Sequence, residues 1–140
     1  MNVLLLRQSF ELVAPHASQL TDLFYETLFS RYPGVKPLFE GVSMKKQRGK
    51  LVGSLAYIVK NLENGAELSA YLKAMGRRHL AYGTKESHYP AVGECLLAAL
   101  AKVAGPAWNR ELEQAWTEAY QAVAGLMMEG ARGEQLDSCA

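Results

Sequence analysis

The chain has 140 residues, 49% of them hydrophobic, with 15 basic and 14 acidic side chains and a formal net charge of +1. That length suits one ordinary domain with a real core, and the even charge argues against the basic stripe of a nucleic-acid binder. Two cysteines, Cys95 and Cys139, make neither a disulfide framework nor a C-x-x-C pair, so a reducing compartment is expected.

The first residues, MNVLLLRQSF, hold only a short apolar run, with no basic start and no small-residue cleavage site. No stretch is expected to reach the roughly 20 apolar residues of a membrane span, so a soluble cytoplasmic protein is expected. Residues 3–14 read as a first helix ending near Pro15. Residues 16–32 read as a second, with Leu20, Phe24 and Leu28 on one stripe and Tyr25 and Phe29 beside it. Pro33 to Phe39 reads as a 3₁₀-like corner. Residues 43–62 carry Gln47, Leu51, Leu55, Ile58 and Leu62 in register, with Ser43 as N-cap. Residues 67–80 place Leu68, Leu72, Met75 and His79 on one face. Pro90 suits the first turn of a helix running to Val103, and Pro106 the start of a last helix with Leu112, Trp116, Ala119, Val123 and Leu126 inward. No stretch alternates with period two. The predicted class is all-α, in one domain over residues 1–140 with a flexible tail from about 131.

Three histidines can be sorted by position. His16 stands at a helix start and His88 in the turn Ser87-His88-Tyr89-Pro90. Only His79 lies in an apolar register. One histidine cannot build a structural zinc site, which needs about four ligands, but one imidazole is enough to hold a haem iron. A core histidine with satisfied nitrogens fits the same register. Tyr25 and Gln47 are the candidates for the other side of such a pocket. A diatomic held by iron draws partial negative charge, and a phenol O–H or amide N–H aimed at it makes a strengthened hydrogen bond. Tyr25 also fits a core tyrosine, and Gln47 a solvated first turn. Arg77, Arg78 and Lys50 read as solvated side chains that could also meet haem propionates. No hydrolase, zinc-protease or phosphate-loop motif occurs.

Taken together, Leu38-Phe39, Gln47-x-x-x-Leu51, His79 and Tyr89-x-x-Val92-Gly93-Glu94 come in the order found in globins, with residues 47 and 79 standing 32 apart. The chain resembles the globin family over about residues 3 to 130, in particular bacterial single-domain globins and the haem domain of flavohaemoglobins. The resemblance implies a three-over-three helical sandwich around one haem b. It implies His79 as the proximal iron ligand, Tyr25 and Gln47 as the distal donors, Leu51 closing the pocket and Phe39 wedging the haem. Tyr89, Val92, Tyr120 and Met127 would line the far side.

The implied function is reversible, high-affinity binding of dioxygen or another diatomic. The alternative is nitric oxide dioxygenation with a separate reductase, because a chain of 140 residues is too short for the flavin and NAD-binding modules of flavohaemoglobins. Those proteins also carry a last-helix glutamate on the proximal histidine. The matching position, fifteen residues after Trp116, is Ala131, and Glu129 lies off the line. The second N–H of His79 is therefore expected to meet a backbone carbonyl.

Overall fold

The computed structural model describes residues 1–139, with side chains for residues 1–133. Six α-helices follow one another: α1 (Val3–Val13), α2 (Ala17–Arg31), α3 (Met44–Lys60), α4 (Gly65–Ala81), α5 (His88–Ala104) and α6 (Arg110–Cys139). Short 3₁₀ segments at Ala14–His16, Pro33–Phe39 and Gly105–Ala107 join three of the pairs. Among the described residues there is no strand.

Local chemistry sets most of the boundaries. The Asn2 side chain accepts from Leu5 N at 3.0 Å and opens α1. Ser43 caps α3 by accepting from Lys46 N at 3.4 Å. Helix α4 ends in a Schellman turn: Thr84 N donates to His79 O at 2.9 Å and Gly83 N to Leu80 O at 3.0 Å. That turn requires a left-handed residue, and Gly83 supplies it with φ +94°. The last helix corrects the sequence reading. Pro106 sits in a 3₁₀ turn, and α6 begins at Arg110 behind Asn109, whose side chain accepts from Leu112 N at 2.9 Å. Proline suits the first turn of either helix type, so it could not separate the two. Helix α6 continues through Gly133 into the stretch read as a tail, and the side chains of residues 134–140 lie outside the described residues.

By length and composition, His88–Ala107 is apolar enough to cross a membrane, contrary to expectation. In the fold it is α5 with its following turn. Helix α5 packs between α2 and α6 and buries Tyr89, Ala91, Cys95, Leu96, Ala99 and Leu100. A helix covered on two sides reads as apolar around most of its circumference.

The buried side chains form two clusters. One joins α1, α2, α3, α5 and α6 around Leu6, Leu20, Phe24, Leu28, Leu55 and Leu100. It is pinned by Trp116 Nε1, which donates to Ser9 Oγ at 2.9 Å across α1 and α6. The second gathers Leu68, Leu72, Met75, Tyr89, Ala124 and Met127 around α4 and α6. The side chains of Tyr120 and Leu62 touch both.

Candidate functional site

Helix α4 is held against α6 through glycine. A Cβ on Gly76 would overlap the Met127 carbonyl, and one on Gly130 would overlap the backbone of Lys73. The two backbones are thus in direct contact, which fixes α4 and the histidine in its last turn. Helix α3 is held elsewhere, on α1 and α2. The surface pair Arg48–Asp22, at 3.2 Å, ties it to α2. Among the described residues α3 and α4 meet near their connected ends and do not pack along their lengths. There Tyr57 stacks on Tyr71 with ring centroids 4.0 Å apart, and Tyr71 Oη donates to Ser54 Oγ at 3.3 Å. The turn between them is tied by Asn64 Nδ2 donating to Asn61 Oδ1 at 2.9 Å. The two helices are therefore anchored to different neighbours away from that end, and the Gln47 end of α3 and the His79 end of α4 lie on the separated side.

His79 is half-buried in the last turn of α4. Its Nδ1 lies 2.8 Å from Met75 O. A carbonyl can only accept, so Nδ1 carries the proton and Nε2 keeps its lone pair. Among the described residues Nε2 has no protein partner. Burial holds the imidazole pKa below its ordinary value, the Met75 bond pulls it back, and the Arg78 charge lowers it again. The ring is a neutral, oriented donor, which is the state in which a histidine can ligate haem iron.

Tyr25 is buried in α2 within an aromatic group. Its ring stands 5.9 Å from Phe29 and 5.8 Å from Phe39, which are 5.3 Å from each other. Burial raises the phenol pKa, while the neighbouring Gln47 amide and the Arg48 charge oppose the rise. The phenol stays protonated and able to donate. The structure thus brings Tyr25 together with Phe39 and Gln47, and Leu51 from α3 and Val92 from α5 pack against the same core cluster.

Tyr89, Tyr120 and Met127 belong with the α4 side. Tyr120 Oη donates to Tyr89 O at 2.7 Å, its ring lying over Gly93 where a side chain would not fit. Burial pushes the Tyr120 pKa up strongly. Met127 is buried, with its backbone against Gly76. Lys50, Arg77 and Arg78 are exposed and are not gathered to either group by any ion pair among the described residues. Glu129 is engaged at the surface, with Oε1 3.3 Å from Lys73 Nζ.

Sequence reasoning missed three contributors. Phe29 completes the aromatic group, and its place beside Tyr25 on the stripe was the available signal. Gly76 and Gly130 permit the α4–α6 contact, a tertiary fact that two mid-helix glycines only hint at. A cleft of about 760 Å³ lies between α5 and α6, lined by Tyr89 and Tyr120 but by none of Tyr25, Gln47 and His79.

Comparison with known proteins agrees with this architecture. A Rhodothermus marinus structure, an engineered carbene transferase described as a candidate nitric oxide dioxygenase, superposes with a TM-score of 0.88 at 30% identity, covering 99% of this chain and 96% of that one. A Campylobacter jejuni bacterial globin superposes with a TM-score of 0.81 at 28% identity, covering 95% and 96%. An uncharacterised globin-like protein of Aquifex aeolicus is 34% identical over 123 residues, 88% of this chain and 86% of that one. The flavohemoprotein of Rhodopirellula baltica is 34% identical over 128 residues, covering 89% of this chain but only 31% of its own length. The sequence pattern of the family named Globin matches residues 22–127. This chain belongs to the globin family.

Proposed function

We propose that the chain binds haem b through His79 and uses it to hold dioxygen or a related diatomic reversibly and tightly. The observation that carries this reading is the state of His79: a neutral imidazole with Nδ1 committed to Met75 O and Nε2 without a partner among the described residues. Bound haem would supply an iron with an open position for the gas. Everything else falls to the chain. His79 holds the group from one side, its ring orientation fixed by the Met75 bond. Tyr25 presents a protonated phenol and Gln47 an amide to the ligand's partial charge. Phe39 and Leu51 close the pocket on that side. Val92, Tyr89, Tyr120 and Met127 would furnish its apolar lining, and exposed Lys50, one turn past Gln47, would meet an anionic edge. We read residues 1–140 as one globin domain, in a reducing, cytoplasmic setting that suits the free thiol of buried Cys95.

A second reading is favoured by the relatives: nitric oxide dioxygenation with a separate reductase. The flavohemoproteins and the Rhodothermus protein point that way. His79 has no carboxylate partner among the described residues, Glu129 being paired with Lys73 at the surface, which favours binding over O–O chemistry. Gas titration of the reduced, haem-loaded protein separates the two. Reversible dioxygen binding, with nitric oxide consumed only once per haem even when a reductase is added, supports the first. Rapid, sustained consumption on adding a reductase moves the second ahead. Failure to bind any diatomic contradicts both.

A further inference from the structure

A cleft of about 440 Å³ opens at the Pro33–Phe39 corner, walled by Phe29 of α2, by Pro37 and Phe39 of the corner, and by Met44 of α3. Lys36 and Glu40, both exposed, stand at its mouth. Phe29 and Phe39 therefore serve two spaces. On one side they wall the cleft; on the other they pack against the ring of Tyr25. One layer of two aromatic rings separates the outside of the molecule from the Tyr25 phenol.

The backbone around this layer is fixed. The corner is a 3₁₀ segment holding Pro37, closed by Glu40 N donating to Pro37 O at 3.2 Å. The end of α2 is fastened to α5 by Tyr32 Oη, which donates to Glu94 Oε2 at 2.8 Å. Side-chain rotation is thus the available way through. Phe29 is half-buried, and its contact with Phe39 is an edge-on pair that such rotation breaks. The neighbouring approach over α3 is different in kind. It is covered by exposed Lys45, Lys46 and Lys50 and by the Arg48–Asp22 pair, all of which hold water. An apolar diatomic gas partitions toward the apolar cleft.

We propose that this cleft is the port through which a small apolar gas reaches Tyr25, with the Phe29 ring as its gate. The proposal rests on the haem-based reading above for its destination. A gate on the path changes entry and exit together, whereas a group that bonds the ligand changes exit alone.

The test uses carbon monoxide recombination after flash photolysis of the haem-loaded protein. Phe29→Ala should speed bimolecular association by about 2- to 12-fold, the factor equivalent to one aromatic edge contact, and Phe29→Trp should slow it. Dissociation should move by the same factor, leaving the equilibrium affinity unchanged. Unchanged association in both variants, or a change in dissociation alone, would overturn the gate. A second measurement does not need haem. Under xenon pressure the Met44 methyl resonance should shift in the wild-type chain, and less in Phe29→Trp. No shift at Met44 would overturn the cleft as a gas site. A chain that takes no haem yet shows the xenon shift would sink the proposed function while upholding the cleft.

Discussion

Burial acts on the two key side chains in opposite directions with one result. It lowers the His79 pKa and raises that of Tyr25, so both stay neutral. A neutral imidazole offers a lone pair, and a neutral phenol offers a proton. A hydrogen bond to a charged acceptor is worth about 1.5–3 kcal/mol, or roughly 10- to 150-fold in a rate. Tyr25→Phe should therefore speed dioxygen release by about that factor in stopped-flow measurements, with haem content little changed. Gln47→Leu should do less if its amide mainly holds the tyrosine. The His79 shift also has a sign. Its folded pKa lies below the ordinary 6.5, so the unfolded chain takes up the proton first as pH falls. The stability contribution is full above about 6.5 and is lost as pH falls through the folded value. Urea midpoints of the haem-free chain should drop between neutral and mildly acidic pH, and this His79 part of the drop should vanish in His79→Leu. An identical slope in that variant would show that His79 does not carry it.

Among the elements, the α4–α6 contact decides the most. Helix propensity alone favours alanine over glycine by about 1 kcal/mol. At Gly76 the added methyl meets a backbone carbonyl that cannot step aside, and overpacking of this kind costs about 1–3 kcal/mol. Gly76→Ala should lower the denaturation midpoint and loosen His79, whereas Gly53→Ala on α3, where nothing stands within 4 Å, should be neutral or stabilising. This contrast was not legible in the sequence, since both glycines sit mid-helix and only the partner's backbone tells them apart. The elements themselves were largely legible. The 3.6-residue period gave six helices, and Pro33 to Phe39 and the Ser43 cap were readable because their signals are local. Where a signal fits two structures, as Pro106 does, the boundary was misplaced. Of the candidate site, the placement on elements was legible: His79, Tyr25 and Gln47 each lie on the expected helix. Their electrostatic state was not, because desolvation depends on what the other helices cover.

For the whole molecule, the separation of α3 from α4 is what a planar group would need, and the two apolar clusters stand on the two helices that would flank it. The same frame sets the reactivity. With His79 bonded to a carbonyl and Glu129 paired with Lys73, the proposed axial donor has no negative partner among the described residues of the kind that drives O–O cleavage. The haem-loaded protein should be a slow peroxidase, and Lys73→Ala should leave its rate unchanged if Glu129 is simply a surface group. A marked gain in that variant would mean that the freed carboxylate reaches His79. The most direct measurement of the central claim is the absorbance spectrum of the purified protein beside that of His79→Ala. The wild type should show a Soret band, the variant should lose or strongly weaken it, and added imidazole should restore it. An undiminished band with unchanged iron coordination in His79→Ala would contradict the claim.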